Sequence, residues 1–188
     1  MKATKEHLVE AAAELLWERG YAATSPAMIQ KRSHAGQGSM YHHFSGKADL
    51  AVTAMRHSAG QLRLATETAL DSGTTALERV GAYLDMERNP LAGCRVGRLV
   101  QDPDVVADDR LRAPVEEFFG WLQQRIADVL AEGVRSGELR PDTDVAAMAS
   151  LVIATVQGGY VLARAQQDQA AFRRATQAAK SALAHLRA

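Results

Sequence analysis

Residues 24–50, TSPAMIQKRSHAGQGSMYHHFSGKADL, leave the chain few ways to fold. Ser25 is a residue type that caps helices, and Pro26 suits the first helical position, where a missing N–H costs nothing. The helix started there must end near Ser33 or His34, because a small-residue turn with two nearby glycines, Gly36 and Gly38, follows. A second short helix then fits from about Gln37 to Phe44, and SGKADL opens another, with Ser45 as cap and an Ala/Leu/Met-rich run reaching about Leu70. Two short helices joined by a tight turn and followed by a long one match the pattern of a helix-turn-helix.

The flanking sequence extends the helical reading. Thr4 is placed to cap a first helix whose apolar stripe is Leu8, Ala11, Ala12, Leu15 and Leu16, while Glu6, Glu10, Glu14 and Glu18 line a solvated face. Gly20 suits the left-handed residue that ends it. Beyond Leu70, breaks rich in Gly, Pro, Asp or Ser fall at 71–73, 89–93, 102–104 and 136–144. Between them helical periodicity predicts long helices over 110–136 and 144–165 and a last one over 168–187. No segment alternates polar and apolar residues long enough for a sheet. The expectation is an all-α fold of about nine helices: a three-helix helix-turn-helix domain at 1–46 and a larger helical domain at 47–188.

Composition narrows the function. Lysine plus arginine balance aspartate plus glutamate at 22 each, but not locally. Residues 19–57 hold Arg19, Lys31, Arg32, Lys47 and Arg56 against Asp49 alone, five minus one, or +4. His7, His34, His42, His43 and His57 crowd the same end, a weak pointer to an anionic partner such as nucleic acid. Cys94 is the one cysteine, so no internal disulfide forms. The charged start argues against a signal peptide, and no run approaches the roughly 18 consecutive apolar residues of a membrane span. A cytoplasmic protein with no membrane partner is expected.

The helix from Gln37 has two distinct sides. Met40 and Phe44, four apart, point together toward a core, and Gly38 and His42 lie opposite. In a major groove Gln37 can pair with adenine and Ser39 with several bases. Tyr41, His42 and His43 can donate to phosphates, Lys47 suits the DNA backbone, and Ser25 belongs to the same candidate surface. The adjacent histidines do not share a face and have no third ligand nearby in sequence, which makes them a poor metal site.

The segments AAAELLWERGYAATS and MIQKRSHAGQGSMYHHFSGKADL resemble the TetR family of bacterial transcriptional regulators, with Gly-x-x-Tyr-x-His-Phe followed by Lys-x-x-Leu. GCRVGRLVQD at 93–102 and QGGYVLARAQQDQAAF at 157–172 resemble the LmrA/YxaF-like branch. Two departures stand out: His34-Ala35-Gly36 replaces the usual Gly-Val-Ser turn, and Met28 sits where Asp is common. His34 would then occupy the left-handed position, which His adopts more readily than bulky apolar residues.

The resemblance implies a homodimer that binds double-stranded operator DNA and releases it when a small-molecule effector of unknown identity enters the larger domain. Tyr83, Met86, Phe118, Trp121, Leu122 and Arg125 are the candidate effector lining. Val145, Met148, Val152, Val156, Gly159 and Tyr160, at helical spacing among small residues, are the candidate dimer interface. No cofactor or metal is expected. The chain shows no nucleophile–base spacing, so an enzyme is not the expectation. An all-α small-molecule enzyme and a DNA-independent helical adaptor are the competing readings.

Overall fold

The computed structural model describes residues 5–188, apart from the side chain of Gln37. Among these residues the fold is all-α, with nine α-helices and one 3-10 turn. They are α1 (Lys5–Arg19), α2 (Pro26–Ser33), α3 (Gln37–His43), α4 (Lys47–Leu70), α5 (Ala76–Asp85), the 3-10 turn (Gly97–Gln101), α6 (Pro103–Ala107), α7 (Asp109–Arg135), α8 (Val145–Gln166) and α9 (Gln169–Ala184). The only β-type pairing among them is an isolated bridge between Leu139 and Arg187. The Thr4 cap expected for α1 lies outside the described residues.

Local chemistry sets most of the ends. Gly20 takes φ +83° and its N–H bonds the Leu16 carbonyl at 2.9 Å, closing α1. Ser25 caps α2, with Pro26 in its first turn. Thr75 and Glu78 form a reciprocal capping box at α5, and Asp144 and Asp168 cap α8 and α9. Ser45 behaves differently from expectation. It sits two residues ahead of α4, and Asp49 reaches back so that its carboxylate accepts the Ser45 N–H at 3.0 Å and hydroxyl at 3.3 Å.

The contacts divide the chain into two compact units, whose borders fall inside α4, in the loop between Gly93 and Cys94, and inside α7. The first comprises the described residues up to Leu62 together with Cys94–Phe118. In it α1 packs on α2 and α3 around Leu8, Leu15, Met40 and Leu50, all essentially inaccessible. The second comprises Arg63–Gly93 and Phe119–Ala188. In it α9 packs on both α8 and α5, with Val80, Leu84, Val152, Val156 and Phe172 buried. Close approach of α8 to α9 relies on Gly159, where a Cβ would stand 3.0 Å from the Phe172 ring.

One helix adds to what the sequence suggested about membrane spans. Although no uninterrupted apolar run is present, α8 is long and apolar enough, by length and composition, to cross a membrane. Its Ala, Gly, Ser and Thr residues interrupt an apolar run without adding charge, so they scarcely lower the average. Only 22% of its most apolar window is buried within the chain, which leaves Leu151, Val161 and Leu162 on an open face.

Candidate nucleic-acid interface

The turn between α2 and α3 is built on a residue other than glycine. His34 adopts φ 53°, ψ 29°, the left-handed conformation expected of it, and its N–H bonds the Gln30 carbonyl. Ala35 N–H reaches the same carbonyl at 3.1 Å. Gly36, by contrast, is extended at φ −64°, ψ 156°, which any residue adopts. The reversal therefore rests on His34, and Gly36 serves as the N-cap of α3 without a side-chain hydrogen bond.

Because α3 is anchored by Met40 and Phe44, both buried as expected, its other side faces outward. Gly38, Tyr41, His42 and His43 are exposed and Ser39 is half-buried. Tyr41 is 62% exposed, large for an aromatic side chain that no neighbour covers, and a Cβ added at Gly38 would meet nothing within 4 Å. The His42 and His43 rings lie edge to face with centroids 4.9 Å apart. Gln37 opens the helix. Ser25 is not on α3 but caps α2, its hydroxyl accepting the Met28 N–H at 3.3 Å.

The positive charge of this end is more committed than its sequence count suggests. Arg32 makes a two-pronged pair with Glu18 at 2.7 and 2.9 Å and a longer bond to Glu14 at 3.4 Å, tying α2 to the acidic row of α1. That pairing holds the Glu18 carboxyl below the usual range. Arg56 pairs with Glu117 at 3.0 Å. Lys47 is half-buried, its ammonium 4.0 Å from the centroid of the Tyr21 ring. Burial pushes the Lys47 ammonium toward its neutral form, and the carboxylates of Asp102 and Asp104 oppose this. Burial likewise raises the Tyr21 phenol, with Asp108, Asp104 and Asp102 adding to the shift.

These partners could not be read from sequence spacing, since Asp102 is 80 residues from Ala22, whose N–H its Oδ2 accepts at 2.8 Å. Locally, Asp102 precedes Pro103 and its Oδ1 caps α6 at 3.1 Å, which in sequence marks it only as a cap.

The expected effector residues are spread over both units. Tyr83 and Leu122 are buried, and Met86 ends α5 half-buried. Trp121 has the Arg63 guanidinium 5.0 Å from its centroid. Arg125 is held by Glu67 at 2.8 Å and Asp71 at 2.9 Å. These belong to the second unit, whereas Phe118, 1% exposed, belongs to the first. Of the expected interface residues, Val152, Val156 and Gly159 are buried within the chain, and Val145, Met148 and Tyr160 are half-buried. The Tyr160 ring packs 4.8 Å from Phe172. The residues that periodicity did not single out are Leu151, Val161 and Leu162, which are 40%, 54% and 47% exposed. Among the described residues no group of three His, Cys, Asp or Glu side chains is arranged to hold a metal ion.

Comparison with known proteins agrees with this architecture. Residues 8–54 match the domain described as "Bacterial regulatory proteins, tetR family", and residues 76–179 match "Tetracyclin repressor-like, C-terminal domain". The transcriptional regulator AcuR of Cereibacter sphaeroides is 30% identical over 151 residues, spanning 77% of this chain and 68% of that protein. The HTH-type transcriptional regulator YxaF of Bacillus subtilis is 21% identical over 173 residues, 88% of this chain and 87% of that protein. A TetR-family regulator from Cytophaga hutchinsonii has the same fold, with a TM-score of 0.89 at 23% identity over 97% of this chain and 94% of that one. With both parts of the chain matched and a 30% identical relative among the regulators, this protein belongs to the TetR family of bacterial regulatory proteins.

Proposed function

We propose that the protein is a homodimeric transcriptional repressor that grips double-stranded operator DNA through α3 and lets go when a small-molecule effector binds. The observation that carries this reading is the two-sidedness of α3. Met40 and Phe44 lock one side into the core while Gly38, Tyr41, His42 and His43 stand in solvent on a helix only 7 residues long. Polar ring-bearing side chains on a short, rigidly anchored helix suit major-groove contact, with Gln37 and Ser39 reaching base edges and Tyr41, His42, His43 and Lys47 the backbone. Ser25, at the start of α2, joins the backbone contacts. In this reading residues 1–46 form the DNA-binding domain and 47–188 the ligand-binding and dimerisation domain.

Two-fold operators call for two-fold proteins, and the open face of α8 supplies the surface. Leu151, Ala154, Gly158 and Leu162 recur at helical spacing, all exposed, and a Cβ at Gly158 would meet nothing within 4 Å. Small residues among apolar ones allow α8 and α9 of one protomer to pack on those of its partner as a four-helix interface. Val145, Met148 and Tyr160 flank this face, and Val152, Val156 and Gly159 support it from within. The same packing covers the apolar helix without a membrane, consistent with a regulator that works on DNA in the cytoplasm.

For the effector, Tyr83, Met86, Trp121 and Leu122 offer an apolar and aromatic lining in the second unit. Arg125 meets an anionic ligand there only by exchanging a carboxylate partner. The motifs at 93–102 and 157–172 favour the LmrA/YxaF-like branch. No cofactor enters this function.

The deciding experiment uses the duplex that the wild-type protein enriches from a random-sequence pool. Tyr41→Ala should bind it at least tenfold more weakly with unchanged thermal unfolding, since a hydrogen bond to a charged group such as a phosphate contributes about 1.5–3 kcal/mol. Undiminished affinity would remove α3 as the reading element.

A further inference from the structure

Lys47 opens α4, where a cation is poorly placed for the helix dipole but well placed for a DNA phosphate. Instead of extending into solvent, its ammonium lies over the Tyr21 ring at 4.0 Å. The Tyr21 turn is itself clasped from a distant part of the same unit. Arg98 donates to the Trp17 carbonyl, and the Arg95 guanidinium sits 3.9 Å from the centroid of the Trp17 ring. Asp102 accepts Ala22 N–H with one carboxylate oxygen and Asp104 N–H with the other, at 2.8 and 3.1 Å.

The clasp therefore sets the Asp102 carboxylate against the residue next to Tyr21, with Asp104 bonded to it through its backbone N–H, so that both act on Lys47 through space rather than as close ion pairs. Both act electrostatically on its ammonium, favouring the charged form against burial. Arg110, the other cation beside Tyr21, does not relieve them. It is committed to Asp108 through bonds of 3.0 and 3.3 Å.

We propose that Tyr21, Asp102 and Asp104 hold Lys47 in an autoinhibitory contact that competes with a DNA phosphate for its ammonium. The inference rests on the DNA-binding reading above. Binding DNA through Lys47 then requires drawing the side chain off the ring and away from two carboxylates, so the clasp weakens the grip of the free protein. Whatever shifts residues 95–104 also changes how strongly Lys47 is held.

Asp104 is the group to perturb, because it is exposed and its side chain makes none of the clasp's hydrogen bonds, whereas the Asp102 carboxylate holds two backbone N–H groups. Wild type, Asp104→Asn, Lys47→Met and the double variant are compared by fluorescence anisotropy on the duplex enriched by the wild type. Asp104→Asn should bind about two- to fivefold tighter, the scale of an exposed charge pair, and should change nothing when Lys47 is already Met. Tyr21→Leu, which keeps apolar bulk but removes the ring face, should shift affinity in the same direction. An equal gain from Asp104→Asn in both backgrounds would mean only that a negative charge has left the DNA's vicinity, and would overturn the proposal, as would no gain in either. If the wild type enriches no duplex at all, the DNA-binding reading falls and takes this inference with it. An enriching wild type with an additive cycle sinks this inference alone.

Discussion

Replacing His34 tests the physical basis of the reading head, because the whole reversal between α2 and α3 depends on one left-handed residue. At φ 53°, ψ 29° an L-residue gives up about 1–2 kcal/mol relative to right-handed backbone. Glycine escapes that strain but loses about 0.5–1 kcal/mol more conformational freedom on folding. The His34 side chain is exposed, so its removal sacrifices little packing. His34→Gly should therefore stabilise the protein by about 0.5–1 kcal/mol, while His34→Val, whose β-branch fits this region badly, should destabilise it by about 1 kcal/mol or more. For a chain of this size the glycine variant should melt about 1–4 °C higher. Urea and thermal unfolding followed by circular dichroism measure both, at one fixed protomer concentration, since dimerisation couples to unfolding. A glycine variant no more stable than wild type, beside a valine variant equal to it, would show that the turn is not held where the argument needs it.

Charge placed on the open face of α8 should separate the subunits: Leu151→Glu with Leu162→Glu should sediment as a folded monomer and bind operator more weakly, whereas Val156→Glu, in the buried stripe, should unfold the protein. The Glu18 carboxyl, held below its usual range by Arg32, contributes stability that is present above the unfolded glutamate value of about 4.3 and is lost as pH falls through the lower folded value. Both side chains are largely solvated, so the effect is modest. Arg32→Gln should flatten the acid limb of the stability–pH curve below that value and leave it unchanged in shape near neutrality.

The helix-turn-helix was legible in the sequence because its determinants are near neighbours. A cap at Ser25, a proline after it, a stop at His34 and two apolar residues four apart on α3 each act within one or two turns, and each is found where spacing put it. Even the unusual turn followed, since left-handed tolerance belongs to the residue type. Ser45 shows the limit of such reasoning. A serine ahead of a helix was a sound candidate cap, but Ser45 donates both its N–H and its hydroxyl to the Asp49 carboxylate instead of accepting a helix N–H, and the helix starts later.

The chain's order of residues thus determined where helices begin and end and which side of α3 is anchored, since capping, backbone preference and the 3.6-residue period operate over a few bonds. Only the tertiary structure decided which side of α8 is covered, because the helix is apolar both along Val152 and Val156 and along Leu151 and Leu162, and the choice falls to how closely α9 approaches Gly159. It also decided which cations are free. Arg32, Arg56 and Lys47 count as bare positive charges in a composition, yet their partners at Glu18, Glu117 and Tyr21 are joined to them only by folding. Electrostatic and aromatic contacts depend on distance through space, and a linear sequence does not contain that distance.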